Sequence, residues 1–173
     1  MRAGANVNLA NFQGFTPLNI AAQEGCKEAV IALLVAKAAV NQAANEGVGP
    51  VYAAAQHGHS DILKLLIKAG GDVNQLKEGN ASPLISASGN GHVECVKILL
   101  AAGANALHKS DIGISALDFA ILEKHPAVIA VLRAHLAQLE AVLRAHIEAK
   151  VEAEAEAEAE AEAEAANQAL GFD

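Results

Sequence analysis

The sequence predicts an all-α fold, a stack of short helix pairs followed by one long helix. Three observations indicate this fold: an internal repeat with a period of 33, helical spacing of apolar residues within each copy, and the loss of a helix-ending glycine in the last copy. The chain has 173 residues, of which 53% are apolar, enough to bury a substantial core. We therefore expect one repeat domain with an appended helix.

The repeat is visible first in the prolines, because Pro17, Pro50 and Pro83 recur at one fixed interval. The same interval separates three further sets of residues: Asn8, Asn41 and Asn74; Gly25, Gly58 and Gly91; and His59, His92 and His125. A fixed period of this length is typical of stacked repeat proteins. We predict a domain over residues 1–135 with a partial first repeat and then repeats near 8–40, 41–73, 74–106 and 107–135. The opening "MRAGANVN" matches the end of a further repeat without a polar cap, which predicts either a longer array or a neighbour packed on the first helices.

The residues of each copy predict a short first helix followed by a second helix. Thr16 and Ser82 can cap a helix whose first position is proline, and Gly25 permits the left-handed conformation that ends it. The second helices, "KEAVIALLVA", "SDILKLLIKA" and "VECVKILLAA", carry apolar residues at helical spacing, and Gly70 and Gly103 end two of them. A turn then leads to the next copy.

"GFTPLNIAAQEG" and "GHVECVKILLAAGANA" resemble the ankyrin repeat, whose signature is T-P-L-H-x-A followed by G-H and L-L. The resemblance covers about residues 1–135. Some positions depart from the signature: Asn19, Tyr52, Ile85 and Asp118 replace its histidine, Gly49 its threonine, Ala116 its proline and Lys37 a helix-ending glycine. The resemblance implies a noncatalytic module that binds a partner protein through its turn tips and the concave face of its first helices.

The resemblance also implies which residues face the partner. Taken copy by copy, they are Phe12, Gln13, Phe15, Gln23 and Glu24; Asn45, Glu46, Val48, Gln56 and His57; Glu78, Gly79, Ala81, Gly89 and Asn90; and Asp111, Ile112, Ile114, Leu122 and Glu123. Phe12 and Phe15 are the strongest candidates, because aromatic side chains at a turn tip make good interface anchors. The alternative for Phe15 is that it packs inward.

A long helix is predicted after the repeats, because Leu136 stands one repeat length beyond Gly103 and the helix has no stop there. The motif "AVLRAH" recurs with a period of 11, close to the period of a straight helix. An apolar stripe on this helix could pack on the repeats or pair with a second chain, and its candidate oligomerisation residues are Leu132, Leu136, Leu139, Leu143 and Ile147. The alternative function is therefore a structural protein that assembles through this helix.

The "VEAEAEAEAEAEAEA" segment alternates with the period of a strand, yet alanine and glutamate both favour helices. Six like-charge pairs of glutamates at i,i+4 spacing oppose the helix by roughly 1 to 3 kcal/mol in total at low salt. The upstream helix has already met the cost of nucleation. We predict a helical extension over 136–165, acidic from 152, with a disordered acidic segment as the alternative, and a tail over 166–173.

Charge and motifs exclude several classes of function. The net charge is −8, with nine Lys/Arg against ten Asp/Glu in residues 1–127 and three against ten in 128–173, so we expect no nucleic-acid partner. The two cysteines have no metal or disulfide spacing. The N-terminus "MRAGANVN" lacks the apolar core of a signal peptide, and no apolar run approaches the roughly 18 to 20 residues of a membrane span. We expect no membrane partner, no cofactor, no metal and no enzymatic activity. We also expect a cytoplasmic location, with the nucleus as the alternative, and histidines at positions 59, 92 and 125 that brace loops.

Overall fold

The computed structural model describes residues 6–169, and its compact units are Met1–Arg133 and Ala134–Asp173. The described residues form eight helices and two isolated β-bridges, without a strand. The helices are α1 (Pro17–Gln23), α2 (Lys27–Val35), α3 (Pro50–Gln56), α4 (Ser60–Lys68), α5 (Pro83–Gly89), α6 (Val93–Ala101), α7 (Ala116–Leu122) and α8 (Pro126–Ala169). The predicted all-α repeat architecture is confirmed. The boundary between the units falls after Arg133, and the predicted bounds of the individual repeats stay a prediction.

The first helices begin as their sequences predict. Thr16 caps α1, since its hydroxyl accepts a hydrogen bond from the Asn19 N–H at 3.2 Å while the Asn19 side chain accepts one from the Thr16 N–H at 3.1 Å. Ser115 and Asp118 form the same capping box on α7 without a proline. Gly49 provides no side-chain cap for α3.

The residues at the positions where glycine ends a helix of the repeat adopt the left-handed conformation. Gly25 has φ 73°, and Lys124 takes the equivalent place in the fourth copy with φ 60°. Lys37, which replaces the glycine that ends the second helix of a repeat, also has φ 60°. Non-glycine residues rarely adopt this conformation, so the repeat framework determines it here.

The repeats stack with like helices side by side. Helices α1, α3, α5 and α7 form one row, and α2, α4 and α6 form the second. Helix α8 begins one repeat length after α6, so its first two turns take the second-helix position of the fourth repeat. The core lies between the rows, and its fully buried large side chains include Leu18, Leu63, Leu66, Leu84, Leu99 and Leu132.

The second unit contains the part of α8 from Ala134 onward. Every residue from Ala137 to Ala163 is exposed, and Lys150 pairs with Glu154 at 3.8 Å. The Glu-Ala segment is helical, as predicted. The helix continues to Ala169, so residues 166–169 of the predicted tail are helical, while residues 170–173 lie outside the described residues.

Candidate partner-binding surface

Four turns join successive repeats or precede the first helices, and we call residues 11–15, 44–48, 77–81 and 110–114 tips 1 to 4. Each is closed by a backbone hydrogen bond between its ends, such as Ser110 N–H to the Ile114 carbonyl at 3.0 Å. In tip 3, Asn80 has φ 54°, whereas glycine holds the equivalent position in the other tips. Asparagine tolerates this conformation better than most residues, so the turn is kept.

Neighbouring tips are joined by backbone hydrogen bonds in a regular series. Asn45 N–H donates to the Gln13 carbonyl at 3.1 Å, and Glu78 N–H donates to the Glu46 carbonyl at 2.8 Å. The series continues where the Asp111 N–H donates to the Gly79 carbonyl at 3.1 Å. These bonds use main-chain groups alone and leave the side chains of Phe12 and Ile112 largely exposed.

Asparagine side chains add a second series at the base of the turns. The Asn41 side-chain Oδ1 accepts from the Asp72 N–H at 2.8 Å, and its side-chain Nδ2 donates to the Gly70 carbonyl at 3.0 Å. Asn74 bonds Asn105 and Gly103 in the same way. The recurring asparagine therefore connects each of these repeats to the next.

The recurring histidines brace the ends of the first helices, as predicted. His59, His92 and His125 place Nε2 within 2.9 to 3.0 Å of a backbone carbonyl oxygen in the preceding repeat. A carbonyl can only accept, so each Nε2 carries a proton and donates it. No group of three or more metal-ligating side chains occurs in the described part of the chain.

Phe12 is 91% exposed at tip 1, the highest value among the large apolar residues of the described chain. Its neighbour in the turn, Phe15, is half-buried, and its N–H donates to the Asn11 side chain at 3.0 Å. Of the two candidate anchors, Phe12 is the one whose ring is free in this structure.

An apolar pocket of about 280 Å³ lies between tips 3 and 4. Ile85 of α5 and Phe119 of α7 line it from the first helices. The tips contribute Gly79, Ala81, Ser110, Asp111, Ile112 and Ile114. All of these tip residues except Ser110 are among those predicted to face a partner, so the structure brings them together around one cavity.

Three lining residues escape the sequence prediction: Ile85, Ser110 and Phe119. Comparing the repeats position by position could have identified Phe119. Gly89 replaces the glutamine of the earlier repeats, and Phe119 replaces their isoleucine or smaller residues. A Cβ added at Gly89 would lie 2.3 Å from the Phe119 ring. The small residue therefore makes room for the large one.

The remaining predicted residues are distributed over the same surface. Those that are exposed are Gln13, Glu24, Asn45, Glu46, His57, Glu78, Asn90, Leu122 and Glu123, and those that are half-buried are Gln23, Val48, Gln56 and Gly89. The His57 ring stacks with that of His59 at a centroid distance of 6.3 Å. The Val48 carbonyl accepts a hydrogen bond from the Asn19 amide at 2.9 Å.

Acidic groups are more numerous than bases among these predicted residues, because Glu24, Glu46, Glu78, Asp111 and Glu123 are all exposed and none of the set is lysine or arginine. Two lysines lie in or beside the tips. Lys77 lies over the Tyr52 ring, 5.7 Å from its centroid. Lys109 lies near Asp118, whose pKa is lowered mainly by its hydrogen bonds from Ser115 and to a smaller extent by this lysine.

The stripe predicted for oligomerisation divides between the two units. Leu132 is 1% exposed and belongs to the core of the repeat unit, so it is not a surface residue. Leu136 is half-buried, whereas Leu139, Leu143 and Ile147 are 45%, 60% and 52% exposed. Of the five candidates, only these last three present a largely exposed apolar surface on the second unit.

The prediction that no segment has the length and apolarity of a membrane span is wrong when helices are judged by length and composition. Pro126–Ala163 is long and apolar enough to cross a membrane by length and composition alone, with mean hydropathy 1.4 over an apolar window of which 11% is buried. Arg133, His135 and Glu140 interrupt the apolar residues of this helix. One such helix is weak evidence for a membrane segment.

Comparison with protein families supports the same organisation. A family model described as ankyrin repeats in three copies matches residues 1–77 and 51–142. No curated protein matches the sequence. The matched ranges contain all four tips and the pocket between tips 3 and 4.

Proposed function

Because this chain belongs to the ankyrin-repeat family, whose members generally mediate protein–protein interactions, we propose that it is a noncatalytic module that binds a partner protein through tips 1 to 4 and the adjoining first-helix face. We call this the tip surface. The observation that carries the proposal is the combination of a rigid framework with apolar groups left uncovered on it. The tips are joined by backbone hydrogen bonds, while Phe12 and Ile112 are 91% and 80% exposed. Aromatic anchors such as Phe12 often carry much of the binding energy of an interface, and a preorganised surface lowers the cost of binding.

The test compares partner recovery by matched variants of the full chain. Phe12→Ala and Ile112→Ala alter the tip surface, and Val35→Ala alters a residue of similar exposure at the end of α2. All three side chains are largely exposed, so the free energy of unfolding should change by less than about 0.5 kcal/mol. We expect proteins recovered in a quantitative pull-down to be lost with the first two variants and retained with Val35→Ala. Retention of every partner by all three would refute the proposal.

A second function is self-association through the second unit, and the exposed stripe of Leu139, Leu143 and Ile147 favours it. A helix that presents apolar residues at this spacing commonly pairs with another helix. Light scattering on the full chain and on Leu143→Asn/Ile147→Asn tests it. A mass above that of the 17.7 kDa monomer that falls on substitution would support self-association, and a monomer for both proteins would exclude it.

A further inference from the structure

We propose that the tip surface binds an extended basic peptide segment that inserts one large apolar side chain into the pocket between tips 3 and 4. This inference rests on the proposed function and specifies the partner's chemistry and the place where it binds. It is carried by the shape of the pocket, by the charges around it and by the repeat spacing.

The pocket is small enough to take a single side chain. Its volume of about 280 Å³ lies at the lower end of the roughly 300 to 1,000 Å³ typical of small-molecule sites. Two large apolar side chains of the first helices line it, Phe119 and the buried Ile85, which is 4% exposed. No charged side chain except Asp111 lines it, so an aliphatic or aromatic group would be favoured there.

The charges beside the pocket favour a basic partner. Glu78 and Asp111 occupy equivalent positions in tips 3 and 4, and Glu46 is joined to Glu78 through the backbone. The Asn80 amide bonds the Asp111 carboxylate, which holds it at the rim. The nearby Lys77 and Lys109 lie by Tyr52 and Asp118, so each already has an attractive neighbour within the chain.

Repeat spacing sets the spacing of the basic residues. Packed helices lie roughly 8 to 10 Å apart, and an extended chain in the polyproline II conformation has about three residues per turn and rises about 3.1 Å per residue. Side chains at i and i+3 of such a peptide therefore lie on the same face, about 9 Å apart. Glu78 and Asp111 belong to neighbouring repeats, so two cationic side chains at i,i+3 spacing in the peptide would meet them. The expected ligand therefore contains one large apolar residue and two Lys or Arg residues at this spacing.

The experiment selects displayed short random peptides on the immobilised full chain and measures the recovered peptide by fluorescence anisotropy. We expect enrichment of the pattern just described, and weaker binding as salt is raised, because exposed charge pairs are screened. Replacement of the peptide's apolar anchor by alanine should weaken binding about tenfold or more, given the area that a buried leucine removes from water. No enrichment over the bare support, or enrichment of acidic or uncharged sequences, would overturn the proposal.

Two protein variants locate the site. Ile112→Ser removes an exposed lining residue of the pocket, and Ile31→Ser makes the same change at an exposed position of α2. Peptide affinity should fall about tenfold with the first, since an apolar contact is lost, and remain unchanged with the second. Equal affinity for both variants would exclude the pocket. If peptides fail while Phe12→Ala still loses its partner proteins, only this inference falls. If peptides bind as expected while the tip variants keep every partner, the proposed function falls instead.

Discussion

Leu132 and Leu143 occupy the same place in the two copies of "AVLRAH", so they offer a matched test of where α8 is buried. Leu132 is 1% exposed in the repeat unit, and Leu143 is 60% exposed in the second unit. Each is changed to alanine in the full chain. The chemical change and the local sequence are the same, so any difference in stability reports the surroundings of the two side chains.

The expected effects differ by several kcal/mol. Leu132→Ala removes buried methyl groups and leaves a cavity, which costs about 2 to 5 kcal/mol in the free energy of unfolding. For a unit of this size the melting temperature should fall by roughly 5 to 20 °C. Leu143→Ala removes little buried area and keeps a good helix former, so its effect should stay within about 0.5 kcal/mol.

The assay is thermal and urea unfolding followed by circular dichroism at two protein concentrations. An equal loss of stability in both variants would refute the assignment of Leu143 to an exposed surface. A loss in Leu143→Ala that grows with protein concentration would show that the residue is covered in an oligomer. No loss in Leu132→Ala would refute the inclusion of α8's first two turns in the core.

Buried or crowded positions supply three more tests. Ser88 is fully buried, its hydroxyl has no hydrogen-bond partner within the described structure, and alanine holds the equivalent positions 22 and 55. Ser88→Ala should therefore raise the free energy of unfolding by about 1 kcal/mol, measured by urea titration. A lower free energy of unfolding would contradict this expectation. Gly89→Ala forces a Cβ against the Phe119 ring and should lower the free energy of unfolding by about 1 to 3 kcal/mol. Adding Phe119→Leu to this variant should restore part of the lost stability. Additive effects of the two substitutions would contradict the close fit of these residues. Burial raises the pKa of Cys95 to about 11, so at about pH 8 iodoacetamide should label the exposed Cys26 much faster than Cys95 in the folded protein. Equal labelling rates would contradict the burial of Cys95.

Most of the repeat framework is predictable because it depends on local chemistry repeated at a fixed interval. The proline that starts α1 and the hydroxyl of Thr16 act within one turn of the chain, so the sequence shows them directly. The histidine braces are predictable from their period, although their acceptors lie in the preceding repeat. Repetition turns a long-range contact into a recognisable pattern.

The pocket is predictable only in part, because it depends on residues that differ between copies. The resemblance points to Ile112 and Ile114, yet Ile85 and Phe119 also line the pocket, and they come together only when α5 and α7 stack. Periodicity likewise places Leu132 and Leu143 on one stripe. It cannot show that one is covered and the other exposed, because burial depends on which side chains from other elements pack against each leucine.

The bonds that hold the tips explain why function can reside in their side chains. Backbone hydrogen bonds join each tip to the next, and the side chains of the recurring asparagines and histidines bond backbone carbonyls about one repeat length away along the chain. A change at Phe12 or Ile112 therefore leaves these bonds in place and costs little stability. The pocket is different, because Gly89 and Phe119 belong to the first helices and fit each other closely. Its shape is coupled to the stacking of repeats three and four, so affinity at the pocket should follow the integrity of that stack, whereas affinity at Phe12 should not.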